Sequence, residues 1–153
     1  MLETPHVAVA AAIASKIPNP FISIPLSFAS HFLLDITPHW NPHINREIKQ
    51  FGKPTTQSVN IIRVDSVVAL LLGTAIAIHA LPDMHQFTNI MICSFVGVLP
   101  DVVEAPYYFL GKKTPIIEKW ISWQKSIQAD AEPWIRLTTQ AVIILASLFW
   151  IFN

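Results

Sequence analysis

The chain has 153 residues, of which 52% are apolar and 13% are charged, and its formal net charge is zero. The charged share is about half of what a soluble domain carries, and nothing in the composition indicates a nucleic-acid partner. The single cysteine, Cys93, excludes an internal disulfide bond and any metal site built from several cysteines.

Five apolar segments predict membrane-embedded helices, at about residues 5–16, 21–37, 59–80, 86–109 and 133–152. The last four contain long stretches without Asp, Glu, Lys or Arg, close to the roughly 17–25 residues that cross a hydrocarbon core. They show neither the alternation of a strand nor the polar stripe of a helix in a soluble protein. Segment 5–16 is too short to span fully, and the sequence leaves open whether it spans or re-enters.

A sixth helix is predicted at about residues 115–129, where Trp and Ile recur at mixed helical spacings among lysines. Such an amphipathic helix is typical of a membrane interface, where tryptophan is favoured. Residues 1–153 are therefore expected to form a single all-α domain, an integral membrane bundle of four to five embedded helices plus one interfacial helix.

The alternation of helix direction places several polar residues at one membrane face. Loops 41–60 and 110–132 are separated by two spans, so they lie on the same side, and both are rich in Lys and Arg. The positive-inside rule assigns that side to the cytoplasm. The same alternation brings these residues to that face: His6, His31, Asp35, His39, Asp65, Asp101 and Glu104.

The spacing His31-x3-Asp35-x3-His39 places three metal-capable groups close to one helix face, with Pro38 ending or kinking the helix before the third. Asp101 and Glu104 are likewise neighbours at i and i+3. Ionisable groups within membrane segments are costly and are usually paired or functional, and imidazole with carboxylate suits zinc, manganese or iron. The alternative is local hydrogen bonding at the interface. For Asp65 a pair with Arg63 or Arg46 is favoured, and His43 is expected in a solvated loop.

Three motifs carry a family resemblance: TPH at the start, SHFLLDITPHW in the second helix and LPD in the fourth. With them the chain resembles the membrane-bound metal-dependent hydrolases, also described as LexA-binding, inner-membrane-associated hydrolases. The resemblance implies a multi-helix fold in a prokaryotic inner membrane, with a divalent-metal site. Its implied ligands are His6, His31, Asp35, His39 and Asp101.

The sequence thus predicts a metal-dependent hydrolase of an ester or phosphoester at the cytoplasmic membrane face. Zinc is the first choice of ion, and a lipid or other amphiphile is a candidate substrate. Asp101 and Glu104 are the predicted catalytic residues, with Glu104 as general base. Gln124, Gln128 and Gln140 are polar neighbours that would support the ligands. Two alternatives stay open: a non-enzymatic transporter or scaffold with a His/Asp ion-binding cluster, and a haem protein with two axial histidines.

Overall fold

The computed structural model describes residues 1–129 and 133–153, with the backbone alone at 133 and 134. These residues are all-α and form seven helices, α1 (Glu3–Lys16), α2 (Pro20–Ile36), α3 (Ile44–Phe51), α4 (Thr56–His79), α5 (Met84–Leu110), α6 (Pro115–Ile127) and α7 (Pro133–Phe152). The six predicted helices are confirmed, with ends displaced by three residues or fewer. Helix α3 was not predicted, because its eight residues lie inside the polar loop 41–60.

Local sequence explains where these helices begin and end. Short polar side chains accept a hydrogen bond from a backbone N–H in the first turn of four helices, α2, α4, α5 and α6. The four capping residues are Asn19, Thr55, Asp83 and Thr114. Helices α3 and α5 end at Gly52 and Gly111, whose φ angles of 75° and 64° are left-handed and favour glycine.

Helix α1 lies in the centre of the bundle, packed against α2, α4, α5 and α7. Its alanines at positions 8, 10, 11, 12 and 14 are all buried, because a helix surrounded by others needs small side chains on every face. The closest approach is to α5, where a Cβ added to Gly97 would lie 2.7 Å from the Ala10 Cβ. The short first segment is therefore enclosed by protein along most of its surface.

The outward faces of the long helices are apolar. Exposed side chains on α4 and α7 include Val67, Leu71, Leu145 and Phe149. Among the described residues, three helical segments are long and apolar enough to cross a membrane, Thr56–His79, Met84–Leu110 and Ile135–Phe152. Helix α2 is apolar but has 17 residues. Alanine side chains are thus buried inside the bundle, and leucine and valine side chains lie on its outside. A lipid solvent favours this arrangement.

Hydrogen bonds between distant segments join the polar end of the bundle. The N–H of Leu2 donates to Gln140 of α7 at 3.1 Å, and the Thr4 hydroxyl donates to Asp65 of α4 at 2.6 Å. The N–H of Ala129 donates to the carbonyl of Asp35 at 3.3 Å, so the segment after α6 contacts the end of α2. The N-terminus of α1, the end of α2 and the two basic loops therefore meet at one end, as the alternation of helices predicts.

Candidate metal centre

His31 is oriented by a backbone carbonyl of the neighbouring helix. Its Nδ1 lies 2.9 Å from the carbonyl oxygen of Gly97 on α5, and the ring is fully buried. Because a carbonyl can only accept, Nδ1 carries the proton in the neutral ring and Nε2 keeps its lone pair. A hydrogen bond of this kind, on the nitrogen that does not bind, is the usual way in which a protein orients a histidine ligand.

His6 stacks on His31 at the centre of the bundle. The two ring centroids are 4.1 Å apart and the ring planes differ by 17°. His6 is fully buried, and within the described residues neither of its ring nitrogens makes a hydrogen bond. A buried polar group without a hydrogen-bond partner is costly, so the His6 ring in this stacked pair requires a further partner.

Asp101 completes a group of three metal-capable side chains. One ligand atom from each of His6, His31 and Asp101 lies within 4.8 Å of the other two, and Asp101 Oδ1 is 3.7 Å from His31 Nε2. Two imidazoles and one carboxylate form a donor set that suits zinc, iron or manganese, and three protein ligands leave a coordination position open. The residues present therefore fit a divalent ion, and the unpartnered nitrogens of His6 are the observation that favours one.

Asp35 contacts both histidines of the group. Its Oδ1 lies 3.4 Å from His6 Nε2, and its Oδ2 lies 3.4 Å from His31 Nε2. The same Oδ1 accepts a hydrogen bond of 2.7 Å from the amino group of Met1, and both partners are fully buried. Asp35 is thus paired with a buried cation in this structure, and its oxygens lie near the Nε2 atoms of both imidazoles. Its role as a metal ligand stays a prediction.

Gln124 of α6 covers the group from the side of the basic loops. Its Nε2 lies 2.6 Å from Asp101 Oδ1 and 3.1 Å from His31 Nε2, and Gln124 is almost fully buried. Helix α6 is fixed there by its aromatic side chains, since Trp120 and Trp123 pack edge-on against Phe32 of α2. The predicted interfacial helix therefore packs on the site that the other helices form.

A cavity of about 890 Å³ lies between α4 and α5 and reaches the group at Asp101. Glu104 lines the same cavity, is buried, and has one carboxylate oxygen, Oε1, that makes no hydrogen bond to the described residues. A volume of this size is within the range of about 300–1,000 Å³ of small-molecule sites. A ligand in this cavity could therefore contact both the metal-capable group and a carboxylate that is free to accept a proton.

The structure places the other predicted residues around this group. His39 is buried just after α2; its Nδ1 contacts the carbonyl of Thr37 at 2.8 Å, and its Nε2 lies 3.5 Å from the Asn41 amide. It does not belong to the group of three, and its role as a ligand stays a prediction. His43 is exposed at the start of α3, and the roles of Asp101 and Glu104 in catalysis also stay predictions.

No protein family, curated protein or solved structure matches the chain. Membership of the hydrolase family suggested by the three motifs therefore stays a prediction.

Two residues that position elements of the site were not predicted in that role from the sequence. Asp65 was expected to pair with an arginine, but it accepts hydrogen bonds from the first turn of α1, at Glu3 and Thr4. Gly97 was not singled out, although its carbonyl orients His31 and its missing side chain admits α1. A glycine within an apolar helix was the available signal, because small residues mark close helix contacts in membranes.

Proposed function

We propose that the chain is an integral protein of a prokaryotic cytoplasmic membrane that hydrolyses an ester or phosphoester with the help of a divalent ion. His6, His31 and Asp101 hold the ion, with zinc as the first choice. Asp35 and His39 are the further candidate ligands, and Gln124 covers the group. The observation that carries the proposal is the buried His6, whose ring nitrogens make no hydrogen bond to the described residues, beside His31 and Asp101 at the edge of a cavity.

The apolar exterior supports the membrane location. Three helical segments among the described residues have the length and composition of spans, and their exposed positions include Leu70, Leu71 and Phe149. In water this surface would form an apolar patch far larger than a soluble monomer carries. The excess of Lys and Arg in loops 41–60 and 110–132 supports a cytoplasmic orientation for the site.

The chemistry follows from the donor set and the cavity. A divalent ion bound at such a site supplies an activated water and polarises the scissile bond. Glu104 takes a proton from the attacking water at Oε1 and returns it to the departing alcohol, because that oxygen has no hydrogen-bond partner in the described structure. Glu104 is buried, which keeps bulk water from its carboxylate and strengthens the electrostatic effect of its charge.

The test begins with metal content. Purified protein in detergent is supplemented with zinc, manganese or iron, desalted and analysed by mass spectrometry for bound metal. The wild type should retain roughly one ion per chain, as expected for a site with three protein ligands. His31→Ala and Asp101→Ala should each lower the retained metal at least tenfold, and His79→Ala, which changes a histidine in edge-on contact with Phe152, should not.

Activity is then measured on a panel of soluble and lipid esters and phosphoesters. Glu104→Gln should keep its metal and lose roughly 100-fold or more in rate, the usual effect of removing a general base. Wild-type protein that retains no metal after supplementation would overturn the metal centre. Bound metal without turnover of any member of the panel would overturn the hydrolase and favour the ion-binding transporter or scaffold.

A further inference from the structure

The cavity between α4 and α5 has the form of a groove along these two helices. Residues from Ile62 to Thr74 line it on α4 at helical spacings. At a rise of 1.5 Å per residue, this stretch is about 18 Å long, slightly more than half of a hydrocarbon core of about 30 Å. The groove is therefore as deep as one leaflet, the depth that a single lipid chain occupies.

The groove opens sideways toward the lipid. Its floor is made of small buried residues, Ala69, Gly73 and Ser94. Its rims carry large apolar side chains that are more than half exposed, Leu70 on α4 at 64% and Phe95 on α5 at 56%. Because the rims are apolar, a hydrocarbon chain can enter between the helices from the bilayer without crossing water.

The polar mouth of the groove is cationic at its outer edge. Arg46 of α3 and Lys125 of α6 are exposed and line the mouth from opposite sides. Four carboxylates also line the cavity and are less exposed: Asp65 and Asp101 already have donors, whereas Glu3 and Glu104 each keep one oxygen without a partner among the described residues. The exposed charged side chains of the lining are therefore Arg46 and Lys125, and two cations in this position suit an anionic head group such as a phosphate.

We propose that this groove binds an amphiphile with one hydrocarbon chain and a phosphate-bearing head, and that such a molecule is the substrate. The chain lies between α4 and α5, the phosphate contacts Arg46 and Lys125, and the bond between head and chain lies beside Asp101 and Glu104. The substrate assignment rests on the proposed hydrolase, whereas binding to the groove can be measured without metal or turnover.

Binding is measured by calorimetry on protein treated with a chelator, so that no hydrolysis occurs. Three probes separate the parts of the ligand: palmitoyl lysophosphatidic acid, monopalmitoyl glycerol and glycerol 3-phosphate. The first should bind at least tenfold more tightly than the second, and the third should not bind at millimolar concentration. Binding of glycerol 3-phosphate as tight as that of the lipid would overturn the groove and indicate a site for free phosphate.

Two variants with matched controls test the two halves of the groove. Val98→Trp fills the groove and should lower the affinity for lysophosphatidic acid at least tenfold, whereas Ile92→Trp, outside the lining of the same helix, should change it less than twofold. Arg46→Gln should lower it three- to tenfold without affecting monopalmitoyl glycerol, and Arg63→Gln should leave both unchanged. If Val98→Trp does not fold, Ala105→Leu narrows the same groove and serves instead.

The outcomes separate this inference from the proposed function. If Val98→Trp or its substitute leaves the affinity for lysophosphatidic acid unchanged, the proposal that the lipid binds in the groove is overturned, even if the metal centre is found. Binding that follows the four variants as expected, in a protein that retains no metal, would support the lipid site and overturn the hydrolase. Release of fatty acid from lysophosphatidic acid by the metal-loaded wild type, lost in Val98→Trp, would support the substrate assignment, whereas release of inorganic phosphate would contradict the placement of the bond.

Discussion

The side-chain amide of Gln124 donates a hydrogen bond of 2.6 Å to Asp101, so α6 reaches the partly buried carboxylate of α5 at the candidate metal centre. The same Nε2 lies 3.1 Å from His31 Nε2, while the amide oxygen is buried without a partner among the described residues. Gln124 therefore contacts two of the three side chains that would hold the ion.

Replacement of Gln124 tests how α6 acts on the metal centre. Its Nε2 donates to His31 Nε2 and Asp101 Oδ1, atoms that would bind the ion, so the amide competes with the ion for them. We expect Gln124→Ala to raise the affinity for zinc about 3- to 10-fold, because a hydrogen bond of roughly 1 kcal/mol no longer has to be broken. The measurement is competition with a zinc-sensitive dye in detergent. Gln57→Ala changes an exposed glutamine of α4 and should leave the affinity within twofold; a lower affinity in Gln124→Ala than in the wild type would contradict this competition.

Gly97 should tolerate no larger side chain, because α1 lies against it. In Gly97→Ala the new Cβ would lie 2.7 Å from Ala10 Cβ, a contact between two helices that cannot both stay in place. We expect the free energy of unfolding to fall by about 1–3 kcal/mol, as for other overpacked cores. Denaturant titration in micelles, followed by circular dichroism, measures this loss.

Gly73→Ala is the comparison for that substitution. Its added Cβ would meet the side-chain atoms Val7 Cγ1 at 3.0 Å and Ser94 Oγ at 3.1 Å, and side-chain ends can shift. We expect a smaller loss than in Gly97→Ala. A loss as large as that of Gly97→Ala would mean that the backbone approach of α1 to α5 is not the limiting contact.

Asp65 should stabilise the start of α1 more strongly than an ordinary cap. It accepts hydrogen bonds from the Thr4 hydroxyl at 2.6 Å and the Thr4 N–H at 3.4 Å, and another from the N–H of Glu3. Asp65→Ala leaves these partly buried donors unsatisfied, and we expect a loss of about 1–3 kcal/mol in the free energy of unfolding. Asp83→Ala, which removes one exposed cap on α5, should cost less; the reverse order would refute this assignment.

Glu47 should make stability depend on pH near the basic loop. Its carboxylate accepts hydrogen bonds from the Ser58 hydroxyl at 2.6 Å and the Thr55 N–H at 2.8 Å, and these bonds, the Ser58 bond first, hold its pKa below the ordinary glutamate value. Because the pKa of Glu47 is lower in the folded protein than in the unfolded protein, the carboxylate contributes its full stabilisation at pH values above the ordinary glutamate pKa. That contribution is lost as the pH falls through the lowered pKa of the folded state.

The variant Glu47→Gln measures that contribution. At pH 7 it should cost about 1 kcal/mol, since the site is partly exposed, and the difference from the wild type should shrink as the pH falls below the ordinary glutamate range. Thermal unfolding at a series of pH values gives the comparison, with Glu118→Gln on the exposed side of α6 as control. A difference that does not change with pH would rule out the carboxylate as its source.

The sequence alone determined the helices and their polar end. The length of each apolar run and the flanking prolines, glycines and capping residues are local properties, so they can be interpreted without knowing the neighbours. Alternation of direction then followed from connectivity, and it brought His6, His31, Asp35 and Asp101 to one end. Only α3 was missed, because eight polar residues carry no apolar signal of a span.

The tertiary structure decided which of these residues meet. The rotation of each helix about its axis depends on how small residues such as Gly97 and Ala10 pack, and spacing within one helix does not reveal it. That packing stacks His6 on His31 and leaves His39 outside the group of three. It also opens a groove between α4 and α5, because a cavity is formed only where two separate surfaces fail to fill the space between them.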